Sequence, residues 1–439
     1  MKDKLKKISR FSLVLLISQP VLALDFLQAY EKAAAGDPEI QAARYEFEAA
    51  LDNKPQARAA LLPNVSLDLF KQKVTQDSNS PSPLSDIDYD ASGYSLSLVQ
   101  SLYQRDLWLN LEQADLGVAS ATATYDAAQQ ALIIRVAEAY YNVLAAQDNL
   151  AFARAEKKAI GEQLEQTQRR FDVGLIAITD VKESQAQYDL SVAQEIQAEA
   201  QLSNSIEALQ LIIGEVPGDL VPLAEDIPLL VPEPENMSQW VDTAKQSNLS
   251  LKIAQYNFDI ASNEVSIGRS GHYPSLNLSV THDDITQEPD NSSDIESEDT
   301  TIAVNLSIPI YSGGLTSART RAAISQKERA RALREKAMRD TVQLTRTSYL
   351  GVTTSIAQVR ALKQALISTQ TAYEATQAGF EVGTRTAVEV LSVLREQYRA
   401  ERDYAQARYD YLLNILRLKQ AAGILNKGDV VRINDWLVQ

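Results

Sequence analysis

Side chains suited to acid–base or metal chemistry are sparse in this sequence. His272 and His282 are its two histidines, and it has no cysteine. A Ser-His-Asp arrangement or a zinc site needs an imidazole beside a second defined partner, and nothing in the sequence places one near either histidine. A surface strand position explains both histidines better than a metal site. We therefore expect no enzyme activity, no cofactor and no metal ion.

A run of carboxylates is the second candidate for chemistry, as a cation site. Eight acidic residues lie between Asp283 and Asp299, within the segment HDDITQEPDNSSDIESEDT. Such a polar run between two apolar, alternating segments is more typical of a solvated loop than of a coordination site. We interpret it as a solvated external loop.

The N-terminus has the pattern of an export signal. Residues 1–23 contain five basic residues and one acidic residue, with the short apolar run FSLVLLIS. That run is much shorter than the roughly 20 residues of a membrane-spanning helix, so we predict a signal peptide rather than an anchor. Its removal changes the totals from 42 basic and 58 acidic residues to 37 and 57, a net charge of −20. So acidic a chain is not expected to bind nucleic acid.

The rest of the sequence contains an internal duplication of about 200 residues. FDVGLIAITDV at 171–181 recurs as FEVGTRTAVEV at 380–390, an offset of 380 − 171 = 209 residues. DPEIQAARYEFEAA likewise resembles NLSLKIAQYNFDIA. We therefore divide the mature chain into a first repeat (24–216), a proline-rich connector (217–236), a second repeat (237–425) and a C-terminal segment (426–439).

Each repeat is predicted to contain two long helices that meet at the repeated turn, near 173–179 and near 382–386. Leu84–Val216 contains no proline, and none follows Pro309, as long helices require. In the first repeat we expect helices over Arg105–Asp172 and Thr179–Ile213, the longer of them roughly 100 Å in length. The residues with coiled-coil spacing, which we expect to be packing positions, are Ile133, Ala137, Tyr140, Leu144, Val342, Thr345, Tyr349, Val352, Ile356 and Val359.

Two short segments in each repeat alternate apolar and polar residues, which indicates strands with one apolar face. The segments are 64–70, 94–103, 275–282 and 301–311. A half-buried sheet in a soluble domain would alternate in the same way. Strands of about ten residues with long polar loops favour an outer-membrane barrel instead. Four strands cannot close a barrel, so two, three or four protomers would supply 8, 12 or 16 strands.

The hairpin turns carry a family resemblance. QRRFDVGLIAITDVKESQAQYD and GFEVGTRTAVEVL resemble the two helix-hairpin tips of the TolC family of outer-membrane efflux channels. The similarity extends over nearly the whole mature chain and includes DPEI, LLPN, HYPS and IYSGG. It implies a mainly α fold with a transmembrane β part. Each subunit of a homotrimer would give four strands to a 12-stranded β-barrel, which a long α-helical barrel continues.

The resemblance also implies a location and partners. The protein would lie in the outer membrane of a Gram-negative bacterium, contact its lipid and extend into the periplasm. There the connector, the helices near Trp240 and the C-terminus would form an equatorial region. It would export drugs, toxins or proteins in a tripartite efflux or type I secretion system, with a periplasmic adaptor and an inner-membrane transporter.

Specific gate residues follow from the resemblance, with two departures. Arg385 would be the cation of a link that holds the tips closed. Thr179 and Asp180 would be on the accepting side of that link. Where relatives often carry tyrosine, this chain has Phe380, which cannot donate a hydrogen bond to Asp180. We expect one gate link to be absent.

The second departure concerns the entrance. Where the family has two aspartates three residues apart, this chain has Glu389 and Ser392. We expect three Glu389 carboxylates to form a single ring at the pore constriction and to favour cations. A solvated helix position for Glu389 is the alternative.

The turns at the two tips are the predicted adaptor contacts. Their small and apolar residues are Val173, Gly174, Leu175, Val382, Gly383 and Thr384. A different class of protein, a periplasmic coiled-coil adaptor or scaffold, would explain the helices but not four symmetrically placed alternating strands.

Overall fold

The structure is a computed structural model that describes residues 23–76, 87–289 and 293–438. The predicted signal peptide, apart from Ala23, lies outside these residues. Within them the chain forms ten helices and one antiparallel sheet. The helices are α1 (Phe26–Gly36), α2 (Pro38–Leu51), α3 (Asn53–Ala59), α4 (Arg105–Asp172), α5 (Ile178–Ile213), α6 (Met237–Ser247), α7 (Leu249–Ser270), α8 (Leu315–Glu381), α9 (Ala387–Ala421) and α10 (Lys427–Asn434). The strands are β1 (Asn64–Gln76), β2 (Ile87–Gln104), β3 (Ser275–Pro289) and β4 (Ile295–Ser307).

Two helical hairpins dominate the molecule. α4 and α8 have 68 and 67 residues, which corresponds to about 100 Å each. α5 and α9 fold back against them after short turns, over 36 and 35 residues. α5 ends at Ile213 and is capped by Gly214, whose φ of 79° lies in the left-handed region that glycine adopts most easily. α4 begins and ends at the predicted residues, Arg105 and Asp172.

The main hydrophobic core lies partway along the hairpins. The predicted seam residues are buried there, except Val342, which is half-buried. Tyr140 is fully buried, and its hydroxyl donates to the carbonyl oxygens of Leu24 and Val221 at 3.1 and 2.9 Å. Burial raises the pKa of the Tyr140 hydroxyl. The hydroxyl therefore stays protonated and ties the N-terminal segment and the connector to α4.

The sheet has the order β1-β2-β3-β4 and one apolar face. The register places Leu67 opposite Leu96, Leu98 opposite Val280, and Val280 opposite Ile302. Most of this face is exposed in the single chain; the exposed positions are Val65, Leu67, Leu69, Leu96, Ile302, Val304 and Leu306. The opposite face is mainly polar and includes a hydrogen bond of 2.8 Å between the hydroxyls of Ser66 and Ser97.

The strands differ from the prediction in length. They contain 13, 18, 15 and 13 residues rather than about ten. The external-loop interpretation was wrong for most of the acidic segment, because Asp283–Pro289 belongs to β3 and Ile295–Asp299 to β4. Asp290 lies outside the described residues. Ile285 and Ile295 are isolated apolar residues among polar ones along these outer ends, so the alternation that reveals a strand disappears there.

The predicted end of the last strand was also wrong. β4 stops at Ser307, and residues 308–311 are not part of the sheet. Pro309 explains this, because proline has no N–H to donate to a neighbouring strand. None of the helices in the described segments combines the length and apolarity that crossing a membrane requires.

Candidate functional site at the hairpin tips

The two hairpins end in turns of the same design. Gly174 and Gly383 have φ values of 76° and 80°, so each supplies the left-handed residue that terminates a helix. The amide of Leu175 donates to the carbonyl of Arg170 at 2.9 Å. The amide of Thr384 donates to the carbonyl of Gly379 at the same distance. The chain can therefore reverse within a few residues at both tips.

The tip residues expose apolar surface. Val173, Leu175 and Val382 are 71%, 73% and 76% exposed. Apolar side chains this exposed at the end of a long rod are positioned to contact another molecule. The predicted contact residues thus lie at the extremities of the hairpins.

Arg385 lies just before α9 and pairs with the first turn of that helix. Its Nη1 lies 3.1 Å from Oε1 of Glu389, four residues later, and its aliphatic stem lies against Gly379. Thr179 is exposed and Asp180 half-buried in the first turn of α5. In the part of the chain that the structure describes, no hydrogen bond or salt bridge joins Arg385 to either residue. The structure therefore brings together Arg385 and Glu389 but not the predicted link.

Glu389 has two roles in the local structure. It is the third residue of α9 and completes a capping box with Thr386, whose amide donates to Oε2 at 2.8 Å. The backbone hydrogen bond from Thr386, followed by the hydrogen bond from Arg385, lowers the pKa of the Glu389 carboxyl. The carboxylate is negatively charged at neutral pH, and it is partly compensated by Arg385.

Phe380 lies inside the second tip. It is 2% exposed and packs against Ala387, Val390 and the partly buried Tyr373. The guanidinium of Arg170, from the first hairpin, lies over its ring with Cζ 4.1 Å from the ring centroid. Nη1 of Arg170 also donates to the carbonyl of Phe380 at 3.0 Å.

Arg170 is a site residue that no motif in the sequence singles out. The dipeptide Arg169-Arg170 precedes the first tip, and the sequence does not show which arginine faces the second hairpin. The structure separates them, because Arg169 pairs with Glu165 on its own helix at 2.6 Å.

Arg395 and Arg402 also join the two hairpins, further from the tips. Nη1 of Arg395 on α9 lies 3.0 Å from Oε1 of Gln187 on α5. Still further from the tips, Nη1 of Arg402 on α9 lies 2.9 Å from Oε2 of Glu156 on α4. Both links, like the contact of Arg170, cross from one hairpin to the other.

Comparison with known proteins settles the family. The family model described as outer membrane efflux protein matches residues 29–215 and 240–424. The chain belongs to the outer membrane efflux protein family. The predicted resemblance is confirmed, and the periplasmic adaptor alternative is not favoured.

Relatives of this outer membrane efflux protein family member are similar over almost their full length. Outer membrane protein TolC of Vibrio cholerae is 39% identical over 424 residues, which cover 96% of this chain and 95% of the relative. The alkaline protease secretion protein AprF of Pseudomonas aeruginosa is 31% identical, with 95% and 88% covered. The chain is thus an outer-membrane channel of the efflux or secretion type that extends into the periplasm.

Solved structures show the same fold. The Campylobacter jejuni CmeC outer membrane channel matches with a TM-score of 0.79 at 16% identity, covering 94% of this chain and 90% of that one. A membrane protein from Pseudomonas aeruginosa also gives a TM-score of 0.79, at 17% identity, with 92% and 91% covered. The mainly α fold with a β part in each subunit is confirmed.

Proposed function

We propose that three copies of this chain form one conduit for drugs, toxins or proteins, with a 12-stranded barrel in the outer membrane and a helical barrel in the periplasm. The observation that carries the proposal is the exposed apolar face of the sheet, which ends at Leu69 on β1 and at Ile302 on β4. Beyond these positions the same face carries Lys71 and Glu298. An apolar band of this kind is suited to lipid, and the polar opposite face is suited to a water-filled lumen.

The sheet edges support closure by sister chains. β1 and β4 are the outer strands, and within the described residues neither has a partner on its free side. Unpaired backbone groups in lipid cost several kcal/mol each, so these edges require strands from other subunits. Pairing β4 of one copy with β1 of the next satisfies both edges and gives a closed ring.

The helices beside these edges differ in charge, because residues 38–59 contain four acidic and three basic residues. α8 follows β4, and residues 319–340 of it contain eight basic and three acidic residues. α2 and α3 precede β1, and α2 presents the exposed Tyr45 beside Glu48. Tyr45 lies 19 residues before the first residue of β1 (64 − 45 = 19), and Arg329 lies 22 residues after the last residue of β4 (329 − 307 = 22). We therefore pair the surface around Arg329 and Leu333 with the surface around Tyr45 and Glu48 of the neighbouring copy.

The hairpin tips are assigned to gating and docking in this proposal. The trimer brings six tips together, where Thr179, Asp180 and Arg385 contribute to the closed gate and three Glu389 residues line the constriction. A periplasmic adaptor, which connects the channel to an inner-membrane transporter, contacts the tips at Val173–Leu175 and Val382–Thr384. The two repeats, 24–216 and 237–425, each supply one hairpin, and the connector 217–236 with the segment 426–439 forms the equatorial region.

Fractionation and cross-linking test the assembly. We expect a heat-resistant trimer in the outer-membrane fraction, and the purified trimer should conduct ions in a planar bilayer. Because the chain lacks cysteine, Tyr45→Cys combined with Leu333→Cys should form disulfides only between copies. Tyr45→Cys with Ala332→Cys, one residue away on a different face of α8, is the control. A soluble monomer would contradict the proposed function.

A further inference from the structure

Of the three arginine contacts described above between the two hairpins, that of Arg170 lies nearest to the tips. It is in the last turn of α4, and Phe380 is in the last turn of α8. The guanidinium both stacks on the Phe380 ring and donates to the Phe380 carbonyl. Planar stacking combined with a directed hydrogen bond is a geometry that arginine provides and lysine does not.

The carbonyl of Phe380 is a suitable acceptor because it lies at a helix end. The last carbonyls of a helix have no partner further along the helix, and they carry the negative end of its dipole. The amide of Gly383 donates to this oxygen at 3.1 Å. The guanidinium of Arg170 donates to the second lone pair of the same oxygen. A cation from the first hairpin therefore completes the end of α8.

Arg170 has no competing carboxylate in the described residues, where no acidic oxygen lies within salt-bridge distance of it. Arg169 has the same charge at the same tip, but its guanidinium is held by Glu165. The positive charge of Arg170 is thus directed to the second hairpin alone.

Phe380 transmits this contact to the second tip. It is buried between the end of α8 and the start of α9, where it touches Ala387 and Val390. Any outward movement of this tip must separate the Phe380 ring from the Arg170 guanidinium or carry α4 along. The contact therefore resists separation of the hairpins.

We propose that Arg170 is a positioning residue of the gate, which holds the second hairpin in the closed arrangement through Phe380. In this chain the stack takes the place of the link that the hydroxyl of a tyrosine at position 380 would make with Asp180. The inference rests on the proposed gated conduit, and it adds a residue and an interaction that the tip turns and the Arg385–Glu389 pair do not include.

The test compares two neighbouring arginines in reconstituted trimers. Arg170→Met removes the charge and keeps the length of the side chain, and Arg169→Met is the matched control. We expect Arg170→Met to increase the open fraction of the channel roughly three- to tenfold. Arg169→Met should leave it unchanged, and Arg170→Lys should restore part of the closure because it keeps only the charge.

A second pair of variants isolates the stack. Phe380→Leu keeps the carbonyl and removes the ring, so its effect should be smaller than that of Arg170→Met. In the Arg170→Met background, Phe380→Leu should add little further opening. If Phe380→Leu has its full effect in that background, the two residues act independently and the stack is not the link.

The outcomes separate this inference from the proposed function. A wild-type trimer that conducts, together with equal open fractions in Arg170→Met and Arg169→Met, overturns the role of Arg170 and leaves the conduit intact. A wild-type protein that forms no conducting trimer overturns the conduit itself. All variants are compared as heat-resistant trimers. If Arg170→Met does not assemble, Arg170→Gln and Arg170→Lys replace it. Both must then show a larger open fraction than the wild type for the inference to stand.

Discussion

Oε2 of Glu156 on α4 accepts a hydrogen bond from Nη1 of Arg402 on α9 at 2.9 Å, and the glutamate is only 3% exposed. Removing one partner of a buried ion pair leaves the other charge without compensation. We expect Glu156→Ala to lower the free energy of unfolding by about 3–5 kcal/mol, measured as a lower Tm of the purified protein. This pair therefore fixes how the two hairpins pack against each other.

The same two helices provide the control for that measurement. Glu138 on α4 pairs with Arg417 on α9 at 2.6 Å, but both side chains are exposed. Glu138→Ala should cost about 1 kcal/mol or less, because water screens an exposed pair. Equal losses in the two variants would show that burial of Glu156 does not determine its contribution.

The capping role of Glu389 predicts a pH dependence at the second tip. Its pKa in the folded state is lowered from the ordinary value of 4.5, so the charged form is stabilised by folding. That stabilisation is fully present above the ordinary value and is lost as pH falls through the lowered one. Protection of the amides in the first turn of α9, measured as hydrogen exchange relative to the intrinsic rate at each pH, should therefore be lost as pH falls below the ordinary value.

Two substitutions separate the capping hydrogen bonds from the charge. Glu389→Gln can still complete a capping box, so protection at neutral pH should be unchanged while the acid-induced loss of protection disappears. Glu389→Ala should show low protection at every pH. If Glu389→Gln behaves like Glu389→Ala at neutral pH, the ion pair with Arg385 rather than the cap holds the turn.

The proposed constriction ring predicts block by a trivalent cation. Three Glu389 carboxylates would attract such an ion, and Glu389→Ala should abolish the block of the reconstituted channel. Glu381→Ala, an exposed acid at the end of the same hairpin, is the control and should leave block unchanged. Unchanged block in Glu389→Ala would rule out the ring.

Arg385 should affect both the gate and the charge of the entrance. Arg385→Ser removes the predicted cation of the gate link, so the closed state should loosen and single-channel conductance should rise. The same change frees Glu389 from its ion pair of 3.1 Å. Trivalent block should therefore strengthen, and unchanged conductance would count against a role of Arg385 in the gate.

The exposed apolar tips predict adaptor binding. Leu175→Asp and Val382→Asp place a charge on side chains that are 73% and 76% exposed, so the trimer should assemble normally. Co-purification of the adaptor should fall about tenfold or more, because a buried unpaired charge opposes association. Ile196→Asp, exposed on α5 far from the tip, is the control. Equal retention of the adaptor by all three variants would contradict docking at the tips.

The long helices were predictable because their signal is strong and local. The stretch without proline and the seam through Tyr140 indicated α4, and the structure gives it the predicted ends, Arg105 and Asp172. The strands were predictable only where one face is apolar. Past Leu69 and Ile302 the apolar residues no longer alternate regularly with polar ones, and the hydrogen bonds that continue the sheet leave no pattern in the sequence.

The contacts at the tips were only partly predictable from the sequence. The spacing Thr386-x-x-Glu389 is a capping-box pattern, and Arg385 lies four residues before Glu389, so their pairing could have been inferred. The contact of Arg170 with Phe380 could not, because it joins residues 210 positions apart. It depends on how two hairpins pack, and helical periodicity does not determine that relationship.

The matched lengths of the hairpins constrain how this protein can change. α4 and α8 differ by one residue, as do α5 and α9. Adding seven residues to each arm of one hairpin would displace its tip by about 10 Å and leave the other tip behind. The two tips can therefore stay level only when matching insertions or deletions occur in all four arms of the duplicated chain.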